Sequence, residues 1–345
     1  MLKKLQLKIS ICLALLIFSQ YVYSESYVPR VNMYLEDPSY IDVENATWIV
    51  YDEKGGLIGK SKGDQSNLLQ RAINYAVENG IPLSVTGRTY VTKPKKKLVS
   101  FLCTYKTIKI PPVTTGEIIF SNVVMLSRPK DGGPAIIFDS AEGLYFEQRG
   151  GQILYRGKDA AVVFSPETST SNADNATQIN TSKIKFSAIT VQEQGPSGGV
   201  PVKFNIKNGS IWGNYFEFGE TDGFNKGDYT IVVSAPTNNA KDVHYKDTRF
   251  ESNIIRASML ARSNVAGIKL GNGMEDSSKI RHNIWNIGSI QPGNKNATGI
   301  VSYGSYDTFN IGVIGNSNMQ KGLHSGSFFG RNSRGNTVNI GQITD

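Results

Sequence analysis

Apolar and polar residues alternate along most of this 345-residue chain in runs of four to eight, too short for helices and bounded by Gly, Asn, Asp or Pro. "TIKIPP", "EIIFSNVVML", "AIIFD", "LYFEQ", "QILYR", "AAVVFS", "KIKFSAITVQ", "VKFNI" and "YTIVVS" read as successive short strands. One stretch has the other period. Leu69, Ala72, Ile73 and Ala76 fall at i, i+3, i+4 and i+7, so they share one helix face. Asp64 or Ser66 can cap that helix, Gly80 can stop it in a left-handed turn, and Pro82 cannot continue it. The pattern predicts an α-helix over 64–79. Residues 25–62 before it read as an extended lead-in, and Ser165–Ser182 as a long exposed loop poor in apolar residues.

Near its end the chain writes one phrase three times: Trp285-Asn286-Ile287-Gly288, Phe309-Asn310-Ile311-Gly312 and Val338-Asn339-Ile340-Gly341. Ile290, Ile314 or Ile343 follows two residues after each Gly, and Asn283, Asp307 or Asn336 stands two residues before each aromatic or Val. The intervals differ, 24 residues from Asn286 to Asn310 and 29 from Asn310 to Asn339. A solenoid accounts for a fixed core with variable spacing, because each coil keeps its strands while its loops change length. Period two sends the aromatic or Val and the first Ile inward and Asn outward. The phrase thus predicts two interior columns and one outer Asn ladder at about 4.8 Å spacing, with Gly permitting a bend before the second Ile.

The segment "GDQSNLLQRAINYAVENGIPLSVTGRTYVTK" resembles the opening element of the pectin-lyase-like right-handed β-helix superfamily. Asp64, Leu69-Gln70, Ala72-Ile73, Gly80, Gly87 and Tyr90 carry the likeness, with one extra residue between Asp64 and Leu69. The resemblance implies an all-β, right-handed parallel β-helix over 63–345, its open end capped by the 64–79 helix. Activities in that superfamily include polysaccharide lyases, glycoside hydrolases, uronan epimerases, tailspike depolymerases and adhesins without catalysis.

Residues 1–24 read as a secretory signal peptide, with Lys3, Lys4 and Lys8 ahead of an apolar run from Ile9 to Phe18 that is too short to span a bilayer. That predicts an exported protein, extracellular, periplasmic or at the cell surface, with no membrane span. Cys103 is then the single Cys of the mature chain, so no internal disulfide is available and packing must supply stability. Without the three signal lysines, 37 basic residues become 34 against 29 acidic ones, an excess of +5. Part of that excess lies in Lys93-Pro94-Lys95-Lys96-Lys97. Lys95 and Lys96 are candidate contacts for an anionic polymer, and a solvated loop is the plainer account of the run. No aromatic interleaving favours nucleic acid, so polysaccharide is the expected partner.

Signatures of particular chemistries are scarce. No Asp-Asp pair, Gly-His-Gly or Arg-Ile-Lys of the polygalacturonase kind occurs, and the Trp-x-Asp-His of many pectate lyases is absent. His244, His282 and His324 have no metal-ligand spacing, although Arg281-His282-Asn283 sits at an expected coil corner. Two acidic constellations remain. In "DVHYKDTRFESNIIR", Asp247, Arg249 and Glu251 alternate and therefore lie on an exterior face. Asp247 and Glu251 stand about 13 Å apart along an extended strand. Catalysis would make Glu251 a general acid or base, Asp247 its carboxylate partner, and Arg249 a carboxylate binder or lyase base. A salt-bridged outer face is the plainer account. In "NYFEFGETDGFNKGDYT", Glu217, Glu220 and Asp222 beside Tyr215 read as a Gly-rich loop suited to sugar or Ca²⁺, or as a solvated loop. The expectation is a protein that cleaves an extended, acidic polysaccharide by lyase or hydrolase chemistry. The alternative is a glycan-binding or tailspike-like attachment protein. Ca²⁺ is the one cation this chemistry brings in, no metal ligands are assigned, and the chain is expected as a monomer or a homotrimer.

Overall fold

A computed structural model of the chain describes residues 28–36, 46–87, 89–92, 96–166, 178–193, 199–207, 209–223, 227–235, 248–271, 279–291, 293, 297–315, 327–329 and 333–344. They form parallel β structure with one α-helix. An eight-stranded sheet is built from Ile108–Ile110, Ile136–Phe138, Ala160–Phe164, Val200–Asn205, Tyr229–Ser234, Ala266–Leu270, Thr298–Ser302 and Ser327–Phe329, each paired in parallel with the next in the chain. After each, the chain adds a longer strand to a second parallel stack. These are Val113–Ser121, Ala141–Arg149, Lys183–Glu193, Tyr215–Asp222, Ile254–Ala261, Ile284–Gln291, Thr308–Gly315 and Thr337–Thr344. Parallel neighbours need a crossover, and here each crossover supplies the strand of the other sheet. The chain therefore revisits the same positions level after level.

Apolar side chains from both sheets fill the space between them. Phe138, Phe164 and Phe204 stack at 4.8 Å centroid spacing, and Trp285 and Phe309 follow at 6.0 Å, all fully buried. The repeated phrase behaves as its pattern predicts. Trp285, Phe309 and Val338 pair in register, as do Ile287, Ile311 and Ile340. Ile290 and Ile314 point inward with no exposure, while Ile343 in the last level is 44% exposed. Asn286, Asn310 and Asn339 form the outer ladder, with amide bonds of 3.0 and 2.8 Å between levels.

The glycine of the phrase has a different reason from the one expected. Gly288, Gly312 and Gly341 do not use positive φ. A Cβ on Gly312 would lie 2.5 Å from the Gly288 carbonyl oxygen, and one on Gly341 would lie 2.7 Å from that of Gly312. Close approach of stacked backbones excludes the side chain.

Positive φ belongs to another corner. Thr115, Gly143, Thr181, Gly213, Ser252, His282, Tyr306 and Gly335 occupy one left-handed position at successive levels, with φ between 46° and 65°. From Thr181 onward, the next residue is an inward polar group: Ser182, Asn214, Asn253, Asn283, Asp307 and Asn336. Each side chain receives the backbone N–H of the previous level, as from Asn253 to Asn283 at 3.0 Å and from Asn283 to Asp307 at 2.8 Å. The amides of Asn253, Asn283 and Asn336 donate to the carbonyls of Ile211, Phe250 and Gly304. This column satisfies a buried corner that has no other source of partners.

The lead-in is more ordered than an extended arm. Val31–Leu35, Thr47–Tyr51 and Leu57–Lys62 make an antiparallel meander, and Val31–Leu35 also runs parallel to Leu83–Thr86. Trp48 is fully buried and donates from its indole to the Phe101 carbonyl at 3.0 Å. Helix α1, Ser66–Asn79, starts two residues later than predicted. It is preceded by Gln65, whose side chain makes no cap bond. Gln65 instead pairs with the Cys103 N–H and the Ala46 carbonyl, extending the sheet. Asp64 accepts from the Ser66 N–H and hydroxyl. Gly80 ends the helix at φ 63°. Leu68, Leu69, Ala72, Ile73 and Ala76 are buried against the first strands. Among the described residues, no helix is long and apolar enough to cross a membrane.

Candidate functional site

Just before the left-handed corner, a short parallel ladder sets Trp212, Glu251, Arg281 and Ser305 in one column. At the inter-strand spacing, Trp212 and Ser305 lie roughly 14 Å apart. Trp212, Glu251 and Arg281 are part-exposed and form an outward strip, while Ser305 beyond them is buried at 6% exposure.

Arg249 reaches across the strip, with its guanidinium 4.9 Å from the centroid of the Trp212 ring and 3.5 Å from Glu251 Oε2. Arg281 approaches Glu251 from the next level, Nε to Oε1 at 3.2 Å. Glu251 is mostly covered, at 18% side-chain exposure, whereas Arg249 and Arg281 stand at 44% and 42%. Trp212 donates its indole N–H to Gln178 Oε1 at 2.7 Å, which fixes the ring. Farther along, His282 and Tyr306 stack at 5.3 Å with 11° between their planes.

The structure thus joins Arg249 and Glu251 directly. Asp247 lies outside the described residues, and the strand here is only Phe250–Glu251. Sequence reasoning missed Trp212, Arg281 and Tyr306. They lie 39 residues before, and 30 and 55 residues after, Glu251 in the chain. The signal that finds them is register: Trp212 and Arg281 stand just before residues of the left-handed column, and Tyr306 belongs to it.

The second constellation is not a loop. Tyr215–Asp222 is a strand, bent at Gly219, where a Cβ would lie 1.8 Å from the Ser187 carbonyl oxygen. The bend separates its acids. Before it, the Tyr215 hydroxyl donates to Glu217 at 2.9 Å and Lys185 pairs with Glu217 at 3.2 Å. Burial, then the bond to Glu217, push the Tyr215 phenol pKa up. After the bend, Glu220 is exposed and Asp222 is buried in a two-pronged ion pair with Arg262, which holds the Arg262 pKa up. The same outer face carries Tyr145, Glu147 and Arg149 one level earlier than Lys185. Burial opposes the Glu147 charge, but bonds from Arg149 and Tyr145 prevail and hold its pKa down. This face is a set of mutually satisfied charges.

Lys95 lies outside the described residues, and Lys96 opens the strand Lys96–Thr104. His244 and His324 also lie outside them. An open groove of about 800 Å³ follows the outer Asn ladder, lined by Asn286, Gly288, Asn310, Gly312, Asn339 and Gly341. Among the described residues, no group of three or more His, Cys, Asp or Glu stands together as a metal site.

No protein-family model and no curated protein matches the chain. Among solved structures, the Agl-KA catalytic domain aligns at 13% identity and a TM-score of 0.18, over 80% of this chain and 66% of that one. A likeness at that level carries no argument.

Proposed function

We propose that this protein is an exported, right-handed parallel β-helix that binds an extended acidic polysaccharide along the corner strip of Trp212, Arg249, Glu251 and Arg281. One observation carries the reading: a fixed indole face lies under one guanidinium, with a second guanidinium held a level away by the same carboxylate. Aromatic faces suit pyranose rings, and half-exposed guanidiniums suit uronate carboxylates in a two-pronged fashion. Glu251 holds both cations in place and is itself largely covered. The basic excess of the chain points to the same class of partner. The Lys-rich start and apolar run of residues 1–24 support export to where such polymers occur.

Cleavage is the second reading, and the exposed guanidinium of Arg249 favours a lyase form of it. In that form Arg281 would neutralise the uronate, and Arg249, once its guanidinium has given a proton to solvent, would take the proton beside the carboxylate while the glycosidic oxygen leaves and takes a proton from water. Hydrolysis has less support, because it needs two carboxyls facing across the bond, and Glu251 is engaged by arginine on both sides.

The test is incubation of the mature protein with acidic and neutral polysaccharides, with and without Ca²⁺. Binding, ultraviolet absorbance from unsaturated uronates and release of reducing ends are followed together. Binding without new ends is expected, weakened in Arg249→Ala. Absorbance rising with reducing ends would establish the lyase reading, and reducing ends alone the hydrolase. No binding to any polymer would refute the proposal.

A further inference from the structure

The column that carries Glu251 and Arg281 does not stop at Ser305. At each level of this corner, the N–H of the left-handed residue donates to the carbonyl of the next member of the column. Gly213 donates to Glu251 at 3.1 Å, Ser252 to Arg281 at 3.4 Å and His282 to Ser305 at 3.3 Å. The Tyr306 N–H donates in the same way to the Arg334 carbonyl at 2.7 Å, and the Arg334 N–H bonds to the Ser305 hydroxyl at 3.3 Å. Arg334 is therefore the next rung, two levels beyond Arg281, and the two backbones stand roughly 10 Å apart. Ser305 between them is small and 6% exposed, so its side chain does not fill the gap. Arg281 is held by Glu251, whereas Arg334 is exposed and forms no ion pair among the described residues. From Trp212 to Arg334, Glu251 is the one acid on the column, and it faces Arg249 and Arg281.

We infer that Arg334 is a further binding residue, and that its place on the column selects a ribbon-like, β-linked acidic glycan. This rests on the binding function proposed above and narrows its partner. A guanidinium that no carboxylate engages keeps all its donors for a ligand, and its fork matches a uronate. Spacing supplies the selection. In a flat β-1,4-linked ribbon each pyranose turns over relative to the last, so carboxylates on one side recur at every second ring. That repeat is close to two strand spacings, which is the step from Arg281 to Arg334. The ring between them turns its acid to solvent above Ser305, where the column carries no cation. An α-1,4-linked galacturonate chain winds instead as a helix, and its carboxylates leave the line of the column. A polymer laid along the stack of levels thus meets both guanidiniums with successive same-side acids when it is a ribbon.

Length and linkage together separate this role from a general charge effect. Isothermal titration with β-1,4-linked mannuronate oligomers, from disaccharide to hexasaccharide, is compared with α-1,4-linked galacturonate oligomers of the same lengths. Cello-oligosaccharides serve as the uncharged ribbon, and thermal melting checks each variant. The parent is expected to gain about tenfold or more in affinity along the mannuronate series and much less along the galacturonate series. Arg334→Gln should reduce the mannuronate gain by about tenfold at an unchanged Tm, since the side chain is exposed. A parent-like gain in Arg334→Gln would overturn its part in binding. Equal gains along both series in the parent would overturn the ribbon, and equal weakening of both series in Arg334→Gln would leave only its charge. Arg281→Gln is the separate arm: weaker binding of every acidic oligomer there, with none in Arg334→Gln, refutes this inference alone. A parent that binds no acidic oligomer overturns the function proposal and this inference with it.

Discussion

Two columns of asparagine run through the same levels, and they do opposite work. Asn286, Asn310 and Asn339 lie on the outside of the long strands and bond to one another. Asn214, Asn253 and Asn283 lie on the inside of the corner, at 2% exposure or less, and bond to backbone groups of neighbouring levels. Water can replace any partner in the first column. In the second it cannot, so each lost amide leaves buried N–H and C=O groups unpaired. Chemical identity is the same; burial decides the energetic weight. Asp307 sharpens the point. It occupies the inner column at a place where an amide would donate to the Ile280 carbonyl, as Asn283 does to Phe250. A carboxylate has no proton for that carbonyl, and Asp307 Oδ2 is buried without a hydrogen-bond partner.

Breaking the inner column should cost most. Asn283→Ala removes the acceptor for the Asn253 N–H and the donor to the Phe250 and Arg281 carbonyls. A loss of about 4 kcal/mol or more is expected in urea unfolding. A loss under about 1 kcal/mol would mean water reaches the corner.

Next in size is Asp307→Asn. Burial pushes the Asp307 carboxyl up to about 7 from 3.8, against hydrogen bonds from Asn283 that pull it down. With the folded-state pKa above the unfolded one, the stabilising contribution is fully present below 3.8 and is lost as pH rises through about 7. The difference of 3.2 units (7 less 3.8) corresponds to roughly 4 kcal/mol. The parent should therefore be less stable at about pH 8 than at about pH 5 through this group. Asp307→Asn should gain about 2–4 kcal/mol at the higher pH and lose that slope, measured as urea midpoints at both. An unchanged slope in the variant would place the titration elsewhere.

Gly312→Ala tests the outer bend beside the outer column. Its Cβ would meet the Gly288 carbonyl oxygen at 2.5 Å, so the levels must part. Destabilisation of about 1–3 kcal/mol is expected by thermal melting. The smallest effect belongs to the outer ladder itself. Asn310→Ala should shift stability by no more than about 0.5 kcal/mol. A larger loss would erase the contrast between the two columns.

Much of the fold is legible in the sequence for the same reason that the columns differ. Period-two patterning is local, so Trp285, Ile287, Phe309 and Ile311 declare their inward direction within a few residues, and three copies declare their stacking. Helix α1 is equally local, in its apolar face and its glycine stop. Gln65 was not legible as a sheet partner, since its bonds go to Cys103 and Ala46, 38 and 19 residues away. The bend at Gly219 hid the fact that Glu217 and Glu220 part company, and a run of acids among glycines reads as a loop until the register is known. In the corner strip, Arg249 and Glu251 are visible as neighbours in the chain.

The sequence by itself determined the repeat, the inward and outward faces of each strand, and the residue types available for chemistry, because each follows from spacing along a few residues. Tertiary structure decided which residues meet across levels. It set Trp212 under Arg249, Arg281 against Glu251 and His282 on Tyr306, and it gave Asp307 a buried place in a column of amides. Those meetings depend on loop lengths between levels, which differ from one to the next and leave no fixed interval to read. Stacking at one strand spacing turns residues 24 to 42 apart in sequence into neighbours, and only the register states which ones.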